Sequence, residues 1–256
     1  MSGFAAYREA VRSGAWSGPT RSAAPGHVQC NLVVLPGAQA DGFGAWCDAN
    51  PAVAPVLARS ERPGDPRLPA LGSDVDVRTD LPRYRLFRDG VPDGEVGDLT
   101  ELWREDFVAF AFGCSFSLEE ALRRAGVELA YERRGFGGAI YRTDRETVAA
   151  GGFAAPLVVS MRPLAPDQAE RAVEVSRRWP QLHGAPVHVG DPAALGIVLE
   201  EPLDAIGELS VADGEVPVFW ACGVTPQLSL EAARPPLAVT HLSAHMLVAE
   251  LRLEQL

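Results

Sequence analysis

Lysine is missing from this chain: all 23 basic residues among its 256 are arginine. Schiff-base chemistry needs a lysine amine and a phosphate-binding P-loop needs its lysine on the phosphates, so both are excluded. Cysteine is scarce. The four present, Cys30, Cys47, Cys114 and Cys222, lack CxxC spacing and the density of a secreted scaffold, which predicts reduced thiols. Long apolar runs are also lacking, since the longest, around "FVAFAF", falls far short of a bilayer span. Nothing ahead of "HVQCNLVVLP" reads as a signal peptide, and a cytoplasmic protein is expected. Positive charge is outweighed by 34 acidic residues, for a formal net charge of −11. That balance argues against nucleic-acid or membrane partners and predicts a small-molecule partner instead; a homodimer is compatible with it.

Several motifs are absent too. There is no G-x-S-x-G elbow, and His241 and His245 have helical i, i+4 spacing without the glutamate of HExxH. The Gly-rich "RRGFGGAIY" lacks the strand before it and the helix after it that a dinucleotide fingerprint requires, so it reads as a turn. Neither a metal nor an organic cofactor is expected.

What is present is a globular pattern, with 47% hydrophobic and 22% charged residues. "HVQCNLVVLP" predicts a buried strand, and "AQADGFGAWCDANP" a helix stopped by Asn50-Pro51. Asp89-Gly90 predicts a hairpin turn. In "DVDVRTD" strand alternation would put Asp74, Asp76, Arg78 and Asp80 on one face. Two segments share one grammar. In "DFVAFAFGCSFSLEEALRRAG" a strand ends at Gly113-Cys114, and Ser117 to Glu120 offer a capping box; in "VPVFWACGVTPQLSLEAARPP" a strand ends at Cys222-Gly223, and Thr225 reads as N-cap ahead of Pro226. Such units in a mostly parallel sheet would bring both turns to its carboxyl edge, with helix N-termini facing an anion. Between them, "VELAYERR", "AIYRTD", "APLVVSMRP", "PDQAERAVEVSRRWP" and "APVHVG" read as β, β, β, α, β. The expected fold is therefore α/β: a mostly parallel sheet flanked by helices in a main domain of residues 1–122 and 205–256, with an inserted α+β subdomain at 123–204.

Cys114 and Cys222 sit where a helix N-terminus can activate a thiol, but small apolar filling or site lining is the preferred reading. Arg162, directly after a buried strand, stands where strand ends line pockets.

Together, "RSGAWSGPT", "APGHVQCNLVVLP", "PGDP", "DVRTDLPRYR", "GCSFSLEEAL", "VVSMRP", "HGAPVHVGDPAALGI" and "EVPVFWACGVTPQ" resemble the D-glutamate cyclase family, whose bacterial members are called hydro-lyases. The resemblance runs from about Tyr7 to Val248. It implies a carbon–oxygen lyase that closes D-glutamate, or a related small amino or carboxylic acid, with loss of water; for D-glutamate the product is 5-oxo-D-proline. That chemistry needs arginines for carboxylates, a general base near neutrality and N–H donors for an oxyanion. Arg78, Arg85, Arg142 and Arg162 are candidates for the first role, and His27, His183 and His188 for the second. The turns at Cys114-Ser115 and Gly223-Val224 are candidates for the third, and Cys222 and Thr225 are expected among the substrate-binding residues. The chain departs from the family pattern twice: Gly137 to Ile140 replaces Asn-Val-Pro-Met, and Ser243-Ala244 replaces Pro-Gly ahead of His245. Two rival readings are a non-catalytic binder of small carboxylates and a cysteine-dependent hydrolase.

Overall fold

The computed structural model describes residues 3–256. Six helices are α1 (Gly3–Arg12), α2 (Gly37–Ala49), α3 (Ser115–Arg124), α4 (Ala130–Arg134), α5 (Pro166–Ser176) and α6 (Thr225–Ala233). The first sheet contains β1 (His27–Pro36), β2 (Val56–Arg59), β3 (Tyr84–Arg88), β4 (Val91–Val96), β5 (Phe107–Gly113), β11 (Ala238–His241) and β12 (Leu247–Arg252). The second contains β6 (Ala139–Glu146), β7 (Pro156–Leu164), β8 (His188–Val189), β9 (Asp204–Ala205) and β10 (Val216–Ala221). Among the described residues no helix is long and apolar enough to cross a membrane.

Every strand pairing is antiparallel, in the orders β2-β5-β1-β11-β3-β4 and β8-β10-β7-β6-β9. The expected mostly parallel sheet is thus corrected to two antiparallel ones. Continuous apolar strands suggested parallel pairing, but burial on both faces explains them equally well. Along β1, Leu32 and Val34 face one hydrophobic cluster, while Val33 and Leu35 face another that contains Phe43 and Trp46 of α2.

The two strand-turn-helix segments do exist, in different sheets, and each passes its helix to the other sheet. After β5 of the first sheet, Leu118 and Leu122 of α3 pack with Val218 and Trp220 of the second. After β10 of the second sheet, Leu230 of α6 packs with Phe87 and Ala238 of the first. This exchange draws the two turns together between the sheets.

Local chemistry differs from expectation at several points. Cys114, rather than Ser117, caps α3, its Sγ accepting from the Phe116 N–H at 3.4 Å. Ser117 instead accepts from the Gln29 N–H at 2.7 Å. Thr225 is no N-cap. Its buried hydroxyl accepts from the Val158 N–H at 3.0 Å and so ties α6 to β7. The stretch "DVDVRTD" forms turns rather than a strand, and "VELAYERR" holds the short helix α4 rather than a strand. The Asp89-Gly90 hairpin joins β3 to β4, with both residues at positive φ.

A candidate carboxylate pocket between the sheets

Two short strands, β11 and β12, share one flank of β1: β11 pairs at Val33 and Val34, and β12 at Gln29 and Cys30. Between them Leu32 is paired only on the opposite flank, with Ala111 of β5, and on this side its N–H donates to Nδ1 of His241 at 3.1 Å. The loop that crosses this gap, Leu242 to Met246, helps enclose a cavity of about 70 Å³ that is lined from both sheets.

Both predicted turns open into it. Cys114, Ser115, Cys222 and Gly223 are lining residues, and the thiols are close enough to influence each other electrostatically. Gly223 is required by close approach: a Cβ there would overlap the side-chain amide of Asn31, another lining residue. Asn31 is buried and donates from Nδ2 to the Gly113 carbonyl at 2.5 Å, so it bonds to one turn while packing against the other. Burial raises the Cys114 thiol to about 12 and the Cys222 thiol to about 11, so neither is a thiolate at neutral pH.

The inner wall carries the charge. Arg162, on β7, donates to Oε1 of Glu119 from Nε at 2.8 Å and from Nη2 at 2.6 Å. It also reaches Ser115 Oγ at 3.1 Å and Ser160 Oγ at 3.2 Å. Arg21 approaches Oε2 of the same carboxylate at 3.1 Å, stacks on Phe116 with its guanidinium 4.6 Å from the ring centroid, and donates to the Gly137 carbonyl. Side-chain exposures of 9% for Arg162, 2% for Glu119 and 12% for Arg21 put this cluster out of bulk water. Two guanidiniums face the Glu119 carboxylate, which gives the inner wall a positive character suited to a bound anion.

His241 is the lining histidine. Burial, with Arg85 and His245 nearby, lowers its pKa to about 4, so the ring is neutral at pH 7. Its Nδ1 lies 3.1 Å from the Leu32 N–H and 3.4 Å from the Leu32 carbonyl; the shorter contact makes Nδ1 the acceptor and leaves the proton on Nε2. The imidazole is then a hydrogen-bond donor to the pocket.

Of the residues expected to form the site, Cys114, Ser115, Arg162, Cys222 and Gly223 meet here, with Thr225 buried just behind. The others lie elsewhere. Arg78 is paired with Asp76 at 2.6 Å near the surface, and Arg142 is exposed on β6. Arg85 pairs with Glu95 at 3.7 Å behind His241. His27 stacks on Phe4 and bonds through Nδ1 to the Ala249 carbonyl, and His188 contacts the Asp191 carbonyl at 2.8 Å. His183 is buried, its Nδ1 3.0 Å from the Ala52 carbonyl, and its pKa falls to about 4 through burial and the nearby Arg162. Sequence reasoning missed Arg21, Asn31, Glu119 and His241. Among the described residues, no group of three or more His, Cys, Asp or Glu side chains could hold a metal ion.

Both departures noted in the sequence border this pocket. Gly137 to Ile140 form one wall, and Ser243 and Ala244 the other. Ala244 takes a left-handed backbone, φ 64°, which suits glycine better.

Residues 108–250 match the D-glutamate cyclase family. A protein of Verminephrobacter eiseniae is 50% identical over 244 residues, 95% of this chain and 89% of its own length. One of Bordetella petrii is 51% identical over 248 residues, 96% and 94% of the two chains. A third, of Rhizobium johnstonii, is 49% identical over 245 residues, 96% and 91%. Each bears the name "Putative hydro-lyase". Among solved structures, a nitrogen repressor-like protein of Methanococcus jannaschii aligns over 100% of this chain and 97% of its own at TM-score 0.42 and 14% identity, a likeness too distant to bear on the site.

Proposed function

The chain belongs to the D-glutamate cyclase family, and from that premise we propose that it is a carbon–oxygen lyase that removes water from a small amino acid, D-glutamate first among candidates. The observation that carries this reading is the pair of pocket-lining guanidiniums, Arg21 and Arg162, held by Glu119 at the inner wall, where their positive character suits one carboxylate.

Ring closure of glutamate joins the α-nitrogen to the γ-carboxyl carbon and breaks one carbon–oxygen bond. The ammonium loses two protons, and the departing oxygen gains two and leaves as water. With the α-carboxylate held by the guanidiniums, the γ-carboxyl can fold back beside the nitrogen; such positioning is a large part of the rate enhancement in an intramolecular reaction. The oxyanion that develops needs preorganised donors, and the Nε2–H of neutral His241 and the side-chain amide of Asn31 face the same cavity.

One observation favours a non-catalytic carboxylate receptor instead: the histidines expected as general bases, His27, His183 and His188, do not line the pocket. Incubation with D-glutamate, L-glutamate, 5-oxoproline and small hydroxy acids, followed by proton NMR, separates the two readings. The lyase reading requires conversion of at least one of these acids. Saturable binding without conversion of any would favour the receptor.

A further inference from the structure

The lining of the pocket has charged groups of both signs, placed on different elements. Arg21 and Arg162 supply positive charge; Asp204, on β9, is the one carboxylate lining the cavity among the described residues. It is solvent-exposed, so it lies toward the mouth, whereas the arginines are largely buried. Its two oxygens are fixed. The Ser243 hydroxyl donates to Oδ2 at 2.8 Å, and the Ala205 N–H donates to Oδ1 at 2.9 Å. Ser243 belongs to the loop that bridges the gap between β11 and β12, so its bond clasps the two sheets across the opening and holds the carboxylate in place.

We infer that Asp204, oriented by Ser243, reads an ammonium group on the substrate and so selects an amino acid over a plain dicarboxylic or hydroxy acid. This deepens the lyase proposal and rests on it for the occupancy of the pocket. A carboxylate has about four lone-pair positions, and Asp204 has two donors, so it retains capacity for an ammonium. A second carboxylate placed at the mouth would meet like charge instead, whereas an α-ammonium beside a carboxylate held at Arg162 would match the sign order of the pocket. A hydroxyl in that place would bond without the charge contribution, which roughly halves the strength of the contact.

Calorimetric titration of the wild-type protein, Asp204→Asn and Ser243→Ala with D-glutamate and with glutarate, its analogue without nitrogen, tests this. The wild type is expected to prefer D-glutamate by about tenfold, the worth of one charge-assisted hydrogen bond. Asp204→Asn, nearly isosteric at an exposed site, should lose that preference while binding glutarate as well as before or better, and Ser243→Ala should lose part of it. Equal loss of both ligands in Asp204→Asn, or an unchanged preference, would overturn the inference. Glutarate binding as tightly as D-glutamate to the wild type would also overturn it and leave the carboxylate site standing. Binding of neither ligand would remove the carboxylate site as well.

Discussion

Nη2 of Arg162 lies 2.6 Å from Oε1 of Glu119 where their side chains are only 9% and 2% exposed, and Arg21 closes on the other oxygen of the same carboxylate. Among the described residues, Glu119 is the carboxylate that separates these two guanidiniums. Glu119→Gln should therefore destabilise the protein by about 3 kcal/mol, the usual cost of leaving buried charge uncompensated. Added glutarate should recover part of that loss, because the anion would take the place of the carboxylate between the arginines. Urea unfolding with and without glutarate checks both effects, and an unchanged midpoint would contradict the charge assignment.

His183 and His241 have folded-state pKa values of about 4 against 6.5 for a free histidine, principally because burial disfavours the imidazolium. The unfolded chain thus takes up protons below pH 6.5 that the folded chain refuses until about pH 4. Stability should fall as pH drops through that window, by about 1.4 kcal/mol per pH unit for each histidine once the unfolded chain is protonated there. Above pH 7 neither group contributes. His183→Gln should flatten the slope relative to wild type in urea unfolding at a series of pH values; identical slopes would show that the ring titrates alike in both states.

Gly223 leaves room for no side chain beside Asn31. In Gly223→Ala, Asn31 must swing away and give up its bond to the Gly113 carbonyl, a buried loss of about 1–3 kcal/mol. Because Asn31 bonds to one turn and packs against the other, binding should weaken more than the stability change alone explains. Thermal unfolding and titration on one preparation measure the two effects.

Much of this was legible in the sequence, and the limits are instructive. The buried strands, α2, α5 and the Asp89-Gly90 hairpin follow from local pattern and turn chemistry. Strand direction does not, since β7 and β10 are paired across the chain from Leu164 to Val216 and no local signal records it. Arg162 could be picked out because it directly follows a buried run. Arg78, Arg85 and Arg142 looked equivalent because arginine identity says nothing of depth, although Asp76, two residues before Arg78, was a local hint of pairing. Glu119 was read as part of a helix start, and Arg21 lies in a loop without periodicity; only tertiary structure brings them to Arg162. His241 serves a backbone amide left over in a gap between strands, a need no spacing rule announces.

The Cys222 thiol, raised to about 11 by burial, should behave as a small filler. Cys222→Ala should keep most ligand binding and any turnover, whereas Cys222→Leu should obstruct the cavity. Iodoacetamide at pH 7 should inactivate slowly if at all. Rapid one-for-one inactivation, with loss of several orders of magnitude in Cys222→Ala, would establish covalent catalysis instead.

The central claim is that a small amino acid is held by Arg162 in the pocket between the sheets and dehydrated there. Conversion of D-glutamate to 5-oxoproline, followed by proton NMR with wild type, Arg162→Met and Arg78→Met after circular dichroism has shown all three folded, tests it most directly. The account predicts conversion by wild type and Arg78→Met, and at least a hundredfold loss, about 2.7 kcal/mol, in Arg162→Met. Conversion by Arg162→Met at the wild-type rate would contradict it.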